Sequence, residues 1–190
     1  MKKFILISLA LVWSIFAFSQ NVYKNEVILT VGKFYSPYRY FKYYNGFESI
    51  KFEYSHQFFP NMGVSFVQEY GRMFDENTNS RAFVIPSNLC IYYNMLQKKD
   101  FKLRISAGTG LEQIYIKSLY EFYPVERNFY GIPVRIEIGF FYKLNERLNL
   151  TLNAVTTYCS LFSNKNSLFP SPYYYNTLFF SSNIGLSYYF

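Results

Sequence analysis

Few residues of this chain could carry out covalent chemistry. There is one histidine, His56, and the serines that could meet it are Ser55 and Ser65. Acyl transfer needs a hydroxyl activated by a base held against it. Residues 55 and 56 fall in an alternating stretch, where neighbours point to opposite faces, so the serines approach the imidazole only from the other face. An interfacial histidine is the plainer reading. Cys90 and Cys159 raise a disulfide or a metal site. Both share the parity of the polar face, but they fall at opposite ends of their stretches, and a disulfide needs Cα atoms within roughly 7 Å. Two thiols and one distant imidazole do not make a zinc set. Gly108, Gly110, Gly139 and Gly185 raise a phosphate loop, yet they lie inside alternating stretches, where an inward glycine makes room for a bulky neighbour. No catalytic, cofactor-binding or metal-binding residue is expected, and no cofactor.

The remaining chemistry is electrostatic. Glu26, Glu53, Glu69, Glu112 and Glu137 share their parity with Lys51, Lys102, Arg104, Arg135 and Lys143, so five acids meet five bases on one side of the sheet. A solvated face does not require that balance. Charges confined inside a narrow barrel do, because pairing offsets their desolvation. With Gln57, Asn153 and Asn183 they are expected to plug the interior.

The elements that would position these charges are strands. After residue 20 apolar and polar residues alternate over eight stretches, 26–35, 47–58, 62–72, 81–93, 101–115, 129–144, 148–159 and 176–190, the period-2 pattern of a strand with two unlike faces. In the sixth, Ile132, Val134, Ile136, Ile138 and Phe140 oppose Arg135, Glu137, Gly139 and Lys143. Of 190 residues 23% are aromatic and only 16% charged, against roughly 25% charged in soluble proteins. The net charge is +7; without Lys2 and Lys3 it is 17 − 12 = +5, too diffuse for a nucleic-acid partner. Beyond the N-terminus no apolar run reaches the roughly 18 residues of a membrane helix.

Residues 1–19 have the features of a secretory signal peptide: Lys2 and Lys3, an apolar run from Phe4 to Phe18, and small residues at Ala17 and Ser19. No cysteine follows the cut, so an unlipidated chain of residues 20–190 is expected to form one domain. The connections alternate between long (36–46, 73–80, 116–128, 160–175) and short (59–61, 94–100, 145–147), the habit of outer-membrane barrels. Tyr35, Tyr93, Tyr115, Tyr130, Tyr142, Tyr158 and Tyr188 fall near strand ends, where amphipathic rings favour the lipid–water boundary.

The last residues supply a resemblance. Asn183, Gly185, Tyr188 and the terminal Phe190 look like the assembly signal read by the barrel-assembly machinery. The chain resembles the small eight-stranded outer-membrane barrels of the OmpX/OmpA-like type, and "IPSNLCIYYNML" and "GIPVRIEIGFFYKL" look like strands of the porin-family β-barrel domain. The resemblance implies an all-β, eight-stranded antiparallel up-and-down transmembrane barrel in a Gram-negative outer membrane. Family members do unrelated things on that scaffold. The expected role is structural or surface-interacting rather than enzymatic. A narrow or gated pore is the alternative and a lipid A-modifying enzyme the third reading. Against the enzyme, His56 falls on the periplasmic side, away from the leaflet that holds lipid A. Lys33, Arg72 and Lys117, with lipid-facing parity at the outer ends of upward strands, are expected lipopolysaccharide contacts. Strand closure brings Tyr38, Arg39, Tyr40 and Lys42 of the first long loop beside Lys165, Phe169 and Tyr174 of the fourth. That patch would suit a surface glycan or protein, unless its rings pack on one another.

Overall fold

The computed structural model describes residues 25–36, 47–75, 80–120, 123–163 and 175–190. They form eight strands: β1 (Asn25–Tyr35), β2 (Phe47–Phe59), β3 (Met62–Asp75), β4 (Ser80–Gln97), β5 (Phe101–Tyr120), β6 (Tyr123–Lys143), β7 (Leu148–Ser163) and β8 (Tyr175–Tyr189). Each strand pairs antiparallel with its sequence neighbours, and β8 pairs with β1 from Glu26↔Tyr189 to Tyr35↔Phe180. The barrel is closed, as the alternation requires, and no strand is left with an unpaired edge. The segment expected to be a signal peptide, residues 1–19, and the loop residues Tyr38, Arg39, Tyr40, Lys42, Lys165, Phe169 and Tyr174 lie outside the described residues.

The two ends of the barrel differ. At the turn end, residues 60–61, 98–100 and 144–147 connect strands tightly, and the Asn145 side-chain oxygen accepts from the amides of Arg147 and Leu148, both at 2.9 Å. Both Asn25 and Phe190 lie there, joined by Phe190 N donating to Asn25 O at 3.0 Å. At the loop end the hairpins run further than expected. Residues 116–128, expected as a loop, continue β5 and β6 up to the pair Tyr120↔Tyr123. Residues 94–97, expected as turn, extend β4 through a register shift between Asn94 and Leu96.

Aliphatic and aromatic residues cover the outside of the barrel. Leu89, Leu111 and Leu29 are each more than half exposed, as are other large outward residues on every side. Tyr35, Tyr93, Tyr130, Tyr142, Tyr158 and Tyr188 are exposed near strand ends. Two prolines also interrupt the sheet away from its ends. Pro86 in β4 faces a gap in the β3–β4 register between Gln68↔Ser87 and Gly71↔Val84, and Pro133 in β6 a gap in the β5–β6 register between Thr109↔Val134 and Glu112↔Gly131. A proline withdraws a ladder donor, and nearby carbonyls then need another. Two outward polar residues provide it: Gln68 Nε2 donates to the Pro86 carbonyl at 3.2 Å and Thr109 Oγ1 to the Pro133 carbonyl at 2.7 Å. Ser87 in turn donates to Gln68 Oε1 at 2.6 Å. Gln68, Ser87 and Thr109, polar residues on a face otherwise built for hydrocarbon, are thereby accounted for.

Candidate functional site

The inward face is where the charges lie. On β1 and β5 the even-numbered residues point in; on β2, β3, β6, β7 and β8 the odd ones do. Lys102 Nζ lies 3.3 Å from Glu26, Arg104 Nη2 2.5 Å from Glu26 Oε2, and Arg104 Nη1 3.7 Å from Glu53. Glu53 lies 3.2 Å from Lys51, which also pairs with Glu137. Glu137 lies 2.8 Å from Arg135, and Arg135 2.7 Å from Glu69. Lys102, Glu26, Arg104, Glu53, Lys51, Glu137, Arg135 and Glu69 thus form one unbroken chain in which base and acid alternate. Its four positive and four negative charges sum to zero. All eight residues are buried, the condition under which an unpaired charge would be most costly.

Neutral groups complete the chain. Arg104 Nε donates to Asn94 Oδ1 at 3.2 Å, and Nη1 to Ser55 Oγ at 3.3 Å. With its amide oxygen turned to the ammonium, Asn153 accepts from Lys51 at 3.0 Å. Gly139 clears the space for this: a Cβ there would meet the Asn153 amide at 2.8 Å and Phe141 at 2.9 Å. The cations at the turn end also rest on rings. Lys102 Nζ is 3.9 Å from the Phe141 centroid, Arg104 Cζ is 4.0 Å from that of Tyr92, and the Lys102 ammonium donates to the Tyr189 hydroxyl. Desolvated cations gain most from such faces. Tyr92, Phe141 and Tyr189 carry inward parity in the sequence, and that was the signal by which they could have been found.

Two of the ten expected interior charges stand apart. Lys143 is exposed. It has inward parity, but it ends β6 at the turn, where the lumen has already opened to solvent; parity gives the face and not the depth. Gln57, expected inside, donates to the Pro60 carbonyl at 2.5 Å in the β2–β3 turn for the same reason. Glu112 is buried, but among the described residues it makes no ion pair. The Cys159 thiol beside it is the one polar group its oxygens meet among the described residues.

Above Glu112 the lumen changes character. Phe34, Met73, Ala82, Val84, Ile114, Cys159, Leu161 and Phe179 form one buried cluster, with the Phe34 and Phe179 rings tilted against each other at 5.1 Å between centroids. On β1, β3 and β5 these residues lie beyond the last inward charge toward the loop end: Phe34 beyond Glu26, Met73 beyond Glu69, Ile114 beyond Glu112. The interior is therefore plugged twice, by paired charge below and by apolar side chains above. Cys90 and Cys159 are both buried free thiols.

The remaining expected sites separate in space. His56 Nδ1 lies 2.8 Å from Asn25 Oδ1 at the turn end, while Ser55 points into the lumen and donates to Glu53 at 3.0 Å. Of the C-terminal residues, Asn183 points inward and accepts from Ser49 Oγ at 2.6 Å across β1. Gly32 permits that reach, because a Cβ there would lie 2.2 Å from Asn183 Oδ1. Gly185 faces Thr30 across the seam, Tyr188 points outward, and the Phe190 ring lies 6.4 Å from that of Tyr54. Lys33, Arg72 and Lys117 are all outward and exposed, but they do not form one group. Arg72 and Lys117 flank a ring floor of Tyr70, Phe83 and Tyr115, with successive centroids 5.9 and 6.1 Å apart. Arg81 stands directly opposite Lys117 and 5.9 Å over Phe74. Lys33 lies away from them, on β1 beside β8.

No protein-family model matches this chain, and no curated protein matches its sequence. Solved structures do match its fold. Neisserial surface protein A superposes with a TM-score of 0.57 at 12% identity, over 88% of this chain and 97% of that one. The N-terminal β-barrel domain of Pseudomonas aeruginosa OprF gives 0.53 at 12%, over 88% and 97%. Ail, the attachment invasion locus protein of Yersinia pestis, gives 0.53 at 11%, over 88% and 98%. By its closed eight-stranded topology and by these likenesses, the chain has the fold of the small eight-stranded outer-membrane β-barrels.

Proposed function

We propose that this chain is an integral protein of a Gram-negative outer membrane, exported by residues 1–19, that acts at the cell surface through its outer loops and conducts nothing through its lumen. The observation that carries the second half is the double plug. A neutral ladder of eight ion-paired residues fills the lower lumen and an apolar cluster fills the upper, so a water path would have to cross both. The apolar outer belt with tyrosines near its edges supports residence in a bilayer. The β8 residues Asn183, Gly185, Tyr188 and Phe190 suit the strand that the barrel-assembly machinery reads. The cluster of Arg72, Arg81 and Lys117 on a ring floor suits phosphates of lipopolysaccharide.

With the described lumen filled by paired charges and apolar side chains, binding is assigned to the loops, and the aromatic and basic residues of the first and fourth are the natural surface. Cells displaying the wild type or the pair Tyr40→Ala with Tyr174→Ala are screened against surface proteins and anionic glycans. The heparin analogue sucrose octasulfate, with which Ail has been solved in complex, serves as a first probe. Adhesion lost in the variant, with unchanged heat-modifiable gel migration, supports the reading. Steady conductance of the purified wild type in planar bilayers would overturn the closed lumen and favour a pore. Equal adhesion of wild type and variant would leave a structural barrel.

A further inference from the structure

The lipid-facing surface is not uniformly bulky. On β1, β8, β7 and β6 the register aligns Lys33, Ser182, Ala154 and Ile138 in one outward row. The next row toward the loop end begins with Tyr35 and Phe180 and continues to Thr156. The row toward the turn end holds Val31, Ile184 and Leu152, each more than half exposed. Ser182 and Ala154 are thus short side chains between two tall rows. They form the floor of an open groove of about 320 Å³ lined by Tyr35, Phe180 and Ile138, with Lys33 at one end.

Three features of the groove select its occupant. Its walls are apolar and it opens on the belt of the barrel, so what fills it is hydrocarbon. Its one charge is the exposed Lys33 ammonium, two residues before the end of β1 and therefore near the outer edge of the belt, where it suits an anionic head group. Its floor and rim carry the hydroxyls of Ser182 and Thr156, and a hydroxyl facing hydrocarbon is costly unless it finds a hydrogen-bond partner. A plain phospholipid chain offers none at that depth. A 3-hydroxyacyl chain does. We propose that this groove seats one 3-hydroxyacyl chain of a phosphorylated outer-leaflet glycolipid, the lipid A part of lipopolysaccharide. Lys33 binds its phosphate and Ser182 or Thr156 binds its chain hydroxyl. Glu48, the register partner of Lys33 on β2, lies on the side of Lys33 away from the groove and is not part of the site. The proposal rests on the outer-membrane reading and adds to it one lipid at one place.

The test uses the full chain, extracted from outer membranes in mild detergent and examined by native mass spectrometry. Outer-membrane fractionation and heat-modifiable migration are run on the same samples. Wild type is expected to retain one lipid A per barrel. Ser182→Phe, which fills the groove from the lipid side without touching the lumen, is expected to lower retention by about tenfold. Lys33→Ala is expected to lower it severalfold, and Glu48→Gln to leave it unchanged. Equal retention by wild type and Ser182→Phe, with both barrels folded in the outer membrane, overturns the groove and leaves the location standing. Failure of the wild type to fractionate with the outer membrane overturns the location itself. Equally tight retention of phosphatidylglycerol overturns the assignment to a hydroxylated glycolipid. A lipid-free two-barrel species that Ser182→Phe abolishes would show the groove to be occupied by a second copy instead.

Discussion

The lower and upper halves of the lumen are lined by the same strands with the same parity, yet they are closed by opposite means. Below, polar groups satisfy one another: each charge from Lys102 to Glu69 has an opposite charge within ion-pair distance. Above, Phe34, Met73, Ile114, Leu161 and Phe179 pack apolar side chains against one another, with only small hydroxyls such as Ser36, Ser80 and Thr177 buried at that end among the described residues. A buried ion pair contributes little net stability over an apolar replacement, because desolvation offsets the attraction, but removing one partner is severe. An apolar plug contributes through area and packing and degrades in proportion to what is removed. The lower lumen should therefore be brittle and the upper one graded.

The largest effect is expected from Arg135→Ala. Arg135 holds both Glu69 and Glu137, and its loss leaves two buried carboxylates short of a cation. Urea unfolding in lipid vesicles should show a loss of about 3–5 kcal/mol. Adding Glu69→Gln to Arg135→Ala should recover part of that loss. If Arg135→Ala unfolds like the wild type, the lower lumen is hydrated rather than paired and the contrast between the halves disappears.

Next comes Phe179→Ala in the upper plug. Phe179 is fully buried against Phe34, and truncating such a ring typically costs about 3 kcal/mol. Phe179→Leu, which keeps most of the volume, should cost well under half as much. A graded series by vesicle unfolding would sharpen the comparison; equal losses for the two variants would contradict it.

Sequence parity revealed the middle of every strand and almost nothing about its depth. Glu53, Arg104 and Glu137 could be placed inward because alternation about them is uninterrupted. Lys143 and Gln57 have the same parity, but they lie where the wall ends, and no local pattern marks that level. The upper plug was missed because charge was used to identify the inward face. Continuing the parity past Glu112 to Ile114, or past Glu26 to Phe34, leads directly to it. The β5–β6 hairpin was cut short because alternation weakens beyond Ile116. For the candidate sites, parity placed Lys33, Arg72 and Lys117 on the outside. Their division between two sides of the barrel follows from strand order around the closure, which makes β3, β4 and β5 neighbours and sets β1 beside β8.

The smallest effect is expected at the boundary between the halves, and it tests the comparison most directly. Glu112 is a buried carboxyl like Glu69 and Glu137, on the same face and within the same lumen. Among the described residues it differs in making no ion pair, for the alternating chain ends at Glu69 and is already neutral there. Its surroundings belong to the upper plug, with Ile114 above it and the Cys159 thiol beside it. If pairing is what makes the lower lumen brittle, replacing a carboxyl that makes no ion pair strands no charge. Glu112→Gln keeps the shape and removes the ionisable group, so stability should stay within about 1 kcal/mol of the wild type or rise slightly. Glu137→Gln, the same chemical change one level below, takes a partner from both Lys51 and Arg135 and should destabilise strongly. Vesicle unfolding of the two variants side by side decides the matter. Equal losses would mean that Glu112 has a cationic partner in the membrane and that the paired network extends into the upper half.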